Sequence, residues 1–156
     1  LNPRIQVEHG VTEEVTGLDL VAWQIRVAAG DRAPAAPALL GHAVEVRIYA
    51  ENPLTGLPDT GKLVTFRLPR MHGVRVETGY AEGQSVTPYY DALLAKLIGW
   101  GTTREQAIGR ALIGLKGTAV RGVRTNIPTL MRVLQHSAFL AGNVHTGLLA
   151  EIGGAA

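Results

Sequence analysis

The stretch Asn2-Pro3-Arg4-Ile5-Gln6-Val7-Glu8 sets an amide, a guanidinium, a second amide and a carboxylate at every other position. On an extended chain that period puts Asn2, Arg4, Gln6 and Glu8 on one face, with Ile5 and Val7 on the other. A guanidinium holds a carboxylate-like oxyanion through two parallel hydrogen bonds. The Gln6 amide adds a donor, and the Glu8 carboxylate can take a proton from the bound anion. Such a row suits a small, flat oxyanion that still carries a proton. The same alternation also makes an ordinary solvated strand face with weak cross-strand pairs, and the pattern alone leaves both readings open. Arg47 has the same two readings, the plain one being a surface pair with Glu45 or Glu51.

The elements that must carry these residues follow from periodicity and punctuation. Ile5 to Val11 predicts a strand, and "TEEVTGLDLVAWQIRVAAG" a helix, with Val15, Leu18, Ala22 and Ile25 at helical spacing. Gly17 allows a kink or two shorter helices, Thr16 and Asp19 make a capping-box-like start for the second, and Gly30 stops it. "DRAPAAPALLG" reads as a Pro/Ala loop. "HAVEVRIYAE" alternates, with Val44, Val46 and Ile48 on one face and Glu45, Arg47 and Tyr49 on the other, which predicts a half-buried strand. Short strands are expected in "KLVTFRL", "GVRVETG" and near "QSVTP". Leu93 to Ile98 reads as an apolar, helix-like run with Asp91 as its cap. Within that run Lys96 has a salt bridge to Asp91 or a snorkelling path to water as its alternatives. Thr103 and Gln106 form a capping box for a helix ending at Gly117, "AVRGVRT" predicts a strand, and Asn126 with Pro128 starts another helix. "HTGLLAEI" is read as helical. The class is α+β: a small antiparallel sheet with helices packed on one side.

The bulk composition narrows the function classes. At 156 residues the chain suits one core, or a domain with a short appendage. Fifteen basic residues against thirteen acidic ones, scattered along the chain, are too few to indicate nucleic acid or an anionic membrane as partner. The absence of Cys excludes a disulfide framework and a thiolate nucleophile, and fits a reducing compartment. No apolar run approaches the roughly 18 residues of a membrane span. With no initiator Met and no signal pattern, the expectation is a cytoplasmic piece cut from a longer protein.

The blocks "NPRIQVEHGVTEEVTGLDLVAWQIRVAAG", "GHAVEVRIYAENP", "LPDTGKL", "VTPYYDALLAKLIGWG" and "GVRTNIPTL" resemble, in order, the C-terminal part of biotin carboxylase. This is the ATP-grasp component of biotin-dependent carboxylases, such as acetyl-CoA carboxylase of fatty acid biosynthesis or the propionyl-CoA enzyme. The resemblance runs from Leu1 to about Leu149. It implies the last strand and helix of an ATP-grasp domain over residues 1–33, the biotin carboxylase C-terminal domain over 34–150, and a tail over 151–156. It implies that Arg4, Gln6 and the backbone amide of Val7 hold bicarbonate, an anion of the kind the opening row suits. Glu8 corresponds to the general base, Asn2 lies beside the magnesium and phosphate region, and Arg47 stabilises the biotin enolate. Asp91 falls near the biotin pocket, where it could orient Arg47. The implied reaction forms carboxyphosphate from ATP and bicarbonate with Mg2+, then carboxylates biotin on a carrier protein or domain. A carboxyltransferase component and a homodimer are implied partners.

A free Glu, with pKa ~4.3, is a weak base for bicarbonate, so proton transfer is expected to be concerted with attack. Arg47 supplies permanent positive charge where negative charge develops. Two departures from the family are Gly10, where Pro or Thr is common, and Leu1 in place of Met or Val. The acidic metal ligand, phosphate-binding lysines, Gly-rich lid and adenine pocket of the family have no counterpart in these residues, and the Met-Lys-Met biotinylation turn is missing. The chain alone is therefore expected to be inactive. A non-catalytic structural or dimerisation module and a non-biotin ATP-grasp ligase are the alternatives. His9 is read as a packed, hydrogen-bonded side chain facing away from Arg4, and Phe66 as either a core residue or a dimer contact. The remaining histidines lack ligand spacing for a metal.

Overall fold

The computed structural model describes residues 2–152; Leu1 and residues 153–156 of the tail lie outside them. In chain order the elements are α1 (His9–Thr16), α2 (Leu20–Ala28), β1 (His42–Tyr49), β2 (Gly61–Lys62), β3 (Thr65–Arg67), β4 (Val74–Thr78), β5 (Ser85–Val86), β6 (Leu93–Gly101), α3 (Arg104–Lys116), β7 (Ala119–Arg121), α4 (Ile127–Gln135), α5 (Ser137–Leu140) and α6 (Leu148–Glu151). The principal sheet is antiparallel with order β1-β6-β4, and β2-β5 and β3-β7 form short two-stranded ribbons.

The two faces of the principal sheet differ in character. Val44, Val46 and Ile48 of β1 share a face with Ala95, Leu97 and Gly99 of β6 and Val74 and Val76 of β4. This face is the core, closed by Ala107, Ala111 and Leu115 of α3 and Leu134 of α4. Gly99 allows the close approach: a Cβ there would lie 2.4 Å from the Ala107 carbonyl oxygen and 2.6 Å from the Ala111 nitrogen. The opposite face carries two cross-strand rows, Arg47–Lys96–Glu77 and Glu45–Ile98–Arg75. Helix α1 lies over it, with Gly10 against Ile98. The α+β class therefore stands, with α3 and α4 gathered on the apolar face and α1 on the charged one.

Two local expectations are overturned. Ile5 to Val11 is not a strand. Residues 2–8 bend and turn into α1, and their backbone–backbone hydrogen bonds are local: Arg4 N–H to Asn2 O at 2.8 Å, His9 N–H to Gln6 O at 3.2 Å and Val11 N–H to Glu8 O at 3.1 Å. A strand needs a ladder partner, and these donors are satisfied without one. The Leu93–Ile98 run is β6, the central strand and not a helix. Residues 94–98 are buried, and burial on both faces erases the alternation that marks a one-sided strand.

The breaks between helices follow the sequence closely. Gly17 ends α1 at φ +70°, a left-handed cap that favours Gly. Asp19, rather than Thr16, caps α2, accepting from Ala22 N–H at 2.8 Å; the Thr16 hydroxyl instead donates back to Thr12 O at 2.6 Å. Thr103 caps α3 as expected, while the Gln106 side chain accepts from Thr102 N–H and not from the cap residue. Phe66 is a core residue.

Candidate active site

Arg4, Gln6 and Glu8 line one cleft of about 760 Å³, so the three groups singled out by spacing do meet. They meet through a bend at Arg4 and a turn at Val7–Glu8, not through strand alternation. Arg4 and Glu8 are exposed and Gln6 is half-buried. Among the described residues the Arg4 guanidinium donates only to its own neighbour's carbonyl, Ile5 O at 3.2 Å, which leaves donors for a ligand. Glu8 occupies the N-cap position of α1, so an anion beside it meets the positive end of a helix. His9 also lines this cleft, and its Nε2 lies 4.0 Å from Glu77 Oε2. It is hydrogen-bonded as expected, Nδ1 lying 2.8 Å from Gln6 O. The far wall is made by α2 through Leu20, Trp23 and Val27.

Arg47 projects from the charged face of β1 and is exposed, its guanidinium 5.9 Å from the centroid of the Tyr49 ring. Among the described residues it forms no ion pair with Glu45 or Glu51, so the plain surface-pair reading fails. It does not line the Arg4 cleft. It borders a separate hollow of about 360 Å³ with Asn126, Leu134 and Phe139. The link between the two places is Lys96, the cross-strand partner of Arg47. Its ammonium donates to Val7 O at 2.9 Å and lies 2.5 Å from Glu77 Oε2. Neither alternative read for Lys96 holds: it reaches neither Asp91 nor bulk water.

Asp91 does not orient Arg47. Its carboxylate accepts from Leu93 N–H at 2.8 Å, an Asx turn leading into β6, and it lines a separate hollow with Tyr49, Glu51 and Tyr90. The group that does hold the Arg47 backbone escaped the sequence reading. Buried Asn126 accepts from Tyr49 N–H at 2.9 Å and donates to Arg47 O at 3.0 Å, using its side chain as a short extra strand beside β1. Asn before a helix signals a cap, yet this side chain makes no cap bond.

A charged network joins α1 to the sheet. Arg75 Nη2 lies 2.7 Å from Glu13 Oε2, and the same guanidinium pairs with Glu77. Burial raises the Glu77 carboxyl, but the Lys96 hydrogen bond and the Arg75 and Lys96 charges outweigh it and hold the group below the usual carboxylate range. His9, Glu13 and Glu77 offer ligand atoms within 4.8 Å of one another. Those carboxylates are already neutralised by Arg75 and Lys96, and the cleft beside Arg4 is walled by apolar side chains. The described residues of this chain thus do not by themselves fit a magnesium–nucleotide site. Asn2 is exposed, and its carbonyl is taken by Arg4 N–H.

The comparisons with known proteins agree with this architecture. The biotin carboxylase C-terminal domain family matches residues 45–151, and the ATP-binding domain of the carbamoyl-phosphate synthase L chain matches residues 1–35. The chain is similar to biotin carboxylase of Halalkalibacterium halodurans, 48% identical over 97% of this chain and 34% of that protein. It is also similar to the methylcrotonoyl-CoA carboxylase alpha subunit of Rattus norvegicus, 43% identical over 97% of this chain and 22% of that one. Among solved structures, the biotin carboxylase domain dimer of Hydrogenobacter thermophilus 2-oxoglutarate carboxylase superposes with a TM-score of 0.93 at 42% identity. That match covers 96% of this chain and 34% of the other, which was crystallised with MgADP, ADP and bicarbonate. The chain belongs to the biotin carboxylase family, through its C-terminal domain. It spans about a third or less of the length of the relatives named here.

Proposed function

We propose that this chain is the part of an ATP-dependent biotin carboxylase that holds bicarbonate and supplies the arginine facing biotin. Arg4 and Gln6, with the Val7 amide, bind the anion; Glu8 takes its proton; Arg47 stabilises the enolate of biotin once its ureido nitrogen is deprotonated. Asn2 would face the metal and phosphates. The nucleotide and Mg2+ would be held by residues other than those described here, so no step is derived through them, and the chain alone is expected to be inactive. Residues 1–33 would close an ATP-grasp domain and 34–150 form the C-terminal domain. A carrier protein or domain bearing biotin, a carboxyltransferase component and a second copy of the enzyme are the partners, in the cytoplasm. Among the described residues no helix is long and apolar enough to cross a membrane.

The observation that carries this reading is the Arg47–Lys96 pair, whose ammonium grips Val7 O at 2.9 Å. It sets the strand bearing Arg47 beside the segment bearing Arg4 and Glu8. Arg47 then supplies fixed charge where the enolate develops it, a role that loses its planar fork on replacement by Lys. The test uses the full-length protein. Glu8→Gln should lower bicarbonate-dependent ATP cleavage by about a hundredfold or more while leaving the fold intact. Arg47→Ala should lower biotin carboxylation far more than nucleotide affinity. Near-normal cleavage in the first variant, or equal loss of nucleotide binding in the second, would refute the assignment.

A further inference from the structure

Lys96 is the most unusual buried group on the charged face. Only 8% exposed, it sits in the central strand between Ala95 and Leu97, where an ammonium ion is costly to desolvate. A lysine there needs compensation, and it has two partners: Glu77 on β4, and the Val7 carbonyl from the segment that enters α1.

The second partner is what ties this lysine to the site. The trans peptide plane between Val7 and Glu8 has its C=O and N–H pointing in opposite directions. Fixing Val7 O on Lys96 therefore turns the Glu8 N–H away from the sheet. Among the described residues that N–H donates to no other group. Two further contacts lie at the same interval of three residues along the chain: Gly10 packs on Ile98, and Glu13 meets Arg75 at 2.7 Å. Positions 7, 10 and 13 thus present one side of the turn and helix to the sheet. Of the three, only the Lys96 contact reaches the turn that carries Gln6 and Glu8.

We infer that Lys96 is a positioning residue for bicarbonate: by clamping the Val7 carbonyl it fixes the Arg4–Glu8 segment in register with Arg47, without touching the substrate. This deepens the proposed function and rests on it.

Lys96→Met in the full-length protein separates positioning from mere structure. Met is apolar, unbranched and of similar length, and Glu77 keeps its Arg75 partner. Removing one partner of a buried ion pair is destabilising, so Arg75 has to carry Glu77 alone. The expected result is a lower Tm in a protein still folded at the assay temperature, with an unchanged KM for ATP. The KM for bicarbonate should rise about tenfold to a hundredfold, the effect of a misplacement near 1 Å at a reacting centre. An unchanged bicarbonate KM overturns the inference. So does a fall in Tm with ATP and bicarbonate constants worsening together, since that marks a purely structural lysine. Should Lys96→Met fail to fold, the double variant Lys96→Met/Glu77→Gln, which removes both buried ions and the Val7 clamp while Arg75 keeps Glu13, carries the same comparison, and an unchanged bicarbonate KM there overturns the role. Wild-type protein is run alongside: without bicarbonate-dependent turnover in it, the proposed function falls and takes this inference with it. Normal wild-type turnover with a normal variant sinks the positioning role alone.

Discussion

Glu45 and Glu77 stand on the same charged face and are driven in opposite directions. Glu45 Oε2 is buried and has no hydrogen-bond partner among the described residues. Burial raises its carboxyl above the usual value, and the nearby Lys96, Arg47 and His9 do not bring it back. A group whose pKa is raised by folding contributes stability below its ordinary value and loses that contribution as pH rises through the folded value. At neutral pH the ionised Glu45 therefore costs stability. Glu45→Gln, which keeps the shape and removes the charge, should raise Tm at pH 7. The gain should vanish near pH ~4, where the wild-type carboxyl is itself protonated. Glu77 has the reverse sign. Its depressed carboxyl contributes stability above the ordinary value, which is lost as pH falls through the folded one. Melting curves of Glu45→Gln at the two pH values decide the matter; an equal shift at both would mean that packing, not ionisation, is responsible.

Among the elements, β6 and α3 approach each other closely, and glycine decides it. A Cβ on Gly99 would meet backbone atoms of Ala107 and Ala111, which cannot rotate aside, so α3 would have to move off the sheet. Gly99→Ala should cost about 3 kcal/mol by urea unfolding. Gly109, inside the same helix, has open space where a methyl would stand, with nothing within 4 Å, so Gly109→Ala should stabilise by about 1 kcal/mol. Opposite signs are the expected outcome, and a Gly99→Ala variant as stable as wild type would rule out the steric argument. The same elements show where the sequence is readable. Strand β1 could be read because its core face is Val44, Val46 and Ile48 while its other face is polar. Helix α3 could be read from the Thr103 cap and its apolar stripe. Strand β6 could not, because burial on both faces leaves a continuous apolar run that a helix would share. Residues 5–11 misled because polar–apolar alternation also describes a bend followed by a helix N-terminus. The Arg4, Gln6 and Glu8 grouping was nonetheless visible. Asn126 on β1 and Lys96 on Val7 were not, since partners 77 and 89 residues away leave no local signature.

For the whole chain, cohesion is uneven, and α2 is its weak point. Helix α3 buries Ala107, Ile108, Ala111, Gly114 and Leu115, whereas α2 buries none of its nine residues. Its apolar side chains Val21, Ile25 and Val27 stay exposed, Ile25 at 68%. Beyond half-buried Leu20, Ala22 and Trp23, what holds α2 among the described residues is the Asp19 cap and the Leu20 N–H on Glu13 Oε1 at 2.6 Å. Short isolated helices are marginal in water, so a helix without a packed face opens locally long before the core does. In the 156-residue chain, amides of α2 should exchange with solvent deuterium at least about a hundredfold faster than those of α3 and β6. The chain is about a third of its biotin carboxylase relative, and α2 also walls the cleft proposed for bicarbonate. In the full-length protein of the proposed enzyme, a cover over this apolar face would close the gap by at least about tenfold. Equal protection of α2 and α3 in the short chain would show that α2 is stable without such cover, and that this wall of the cleft stands by itself.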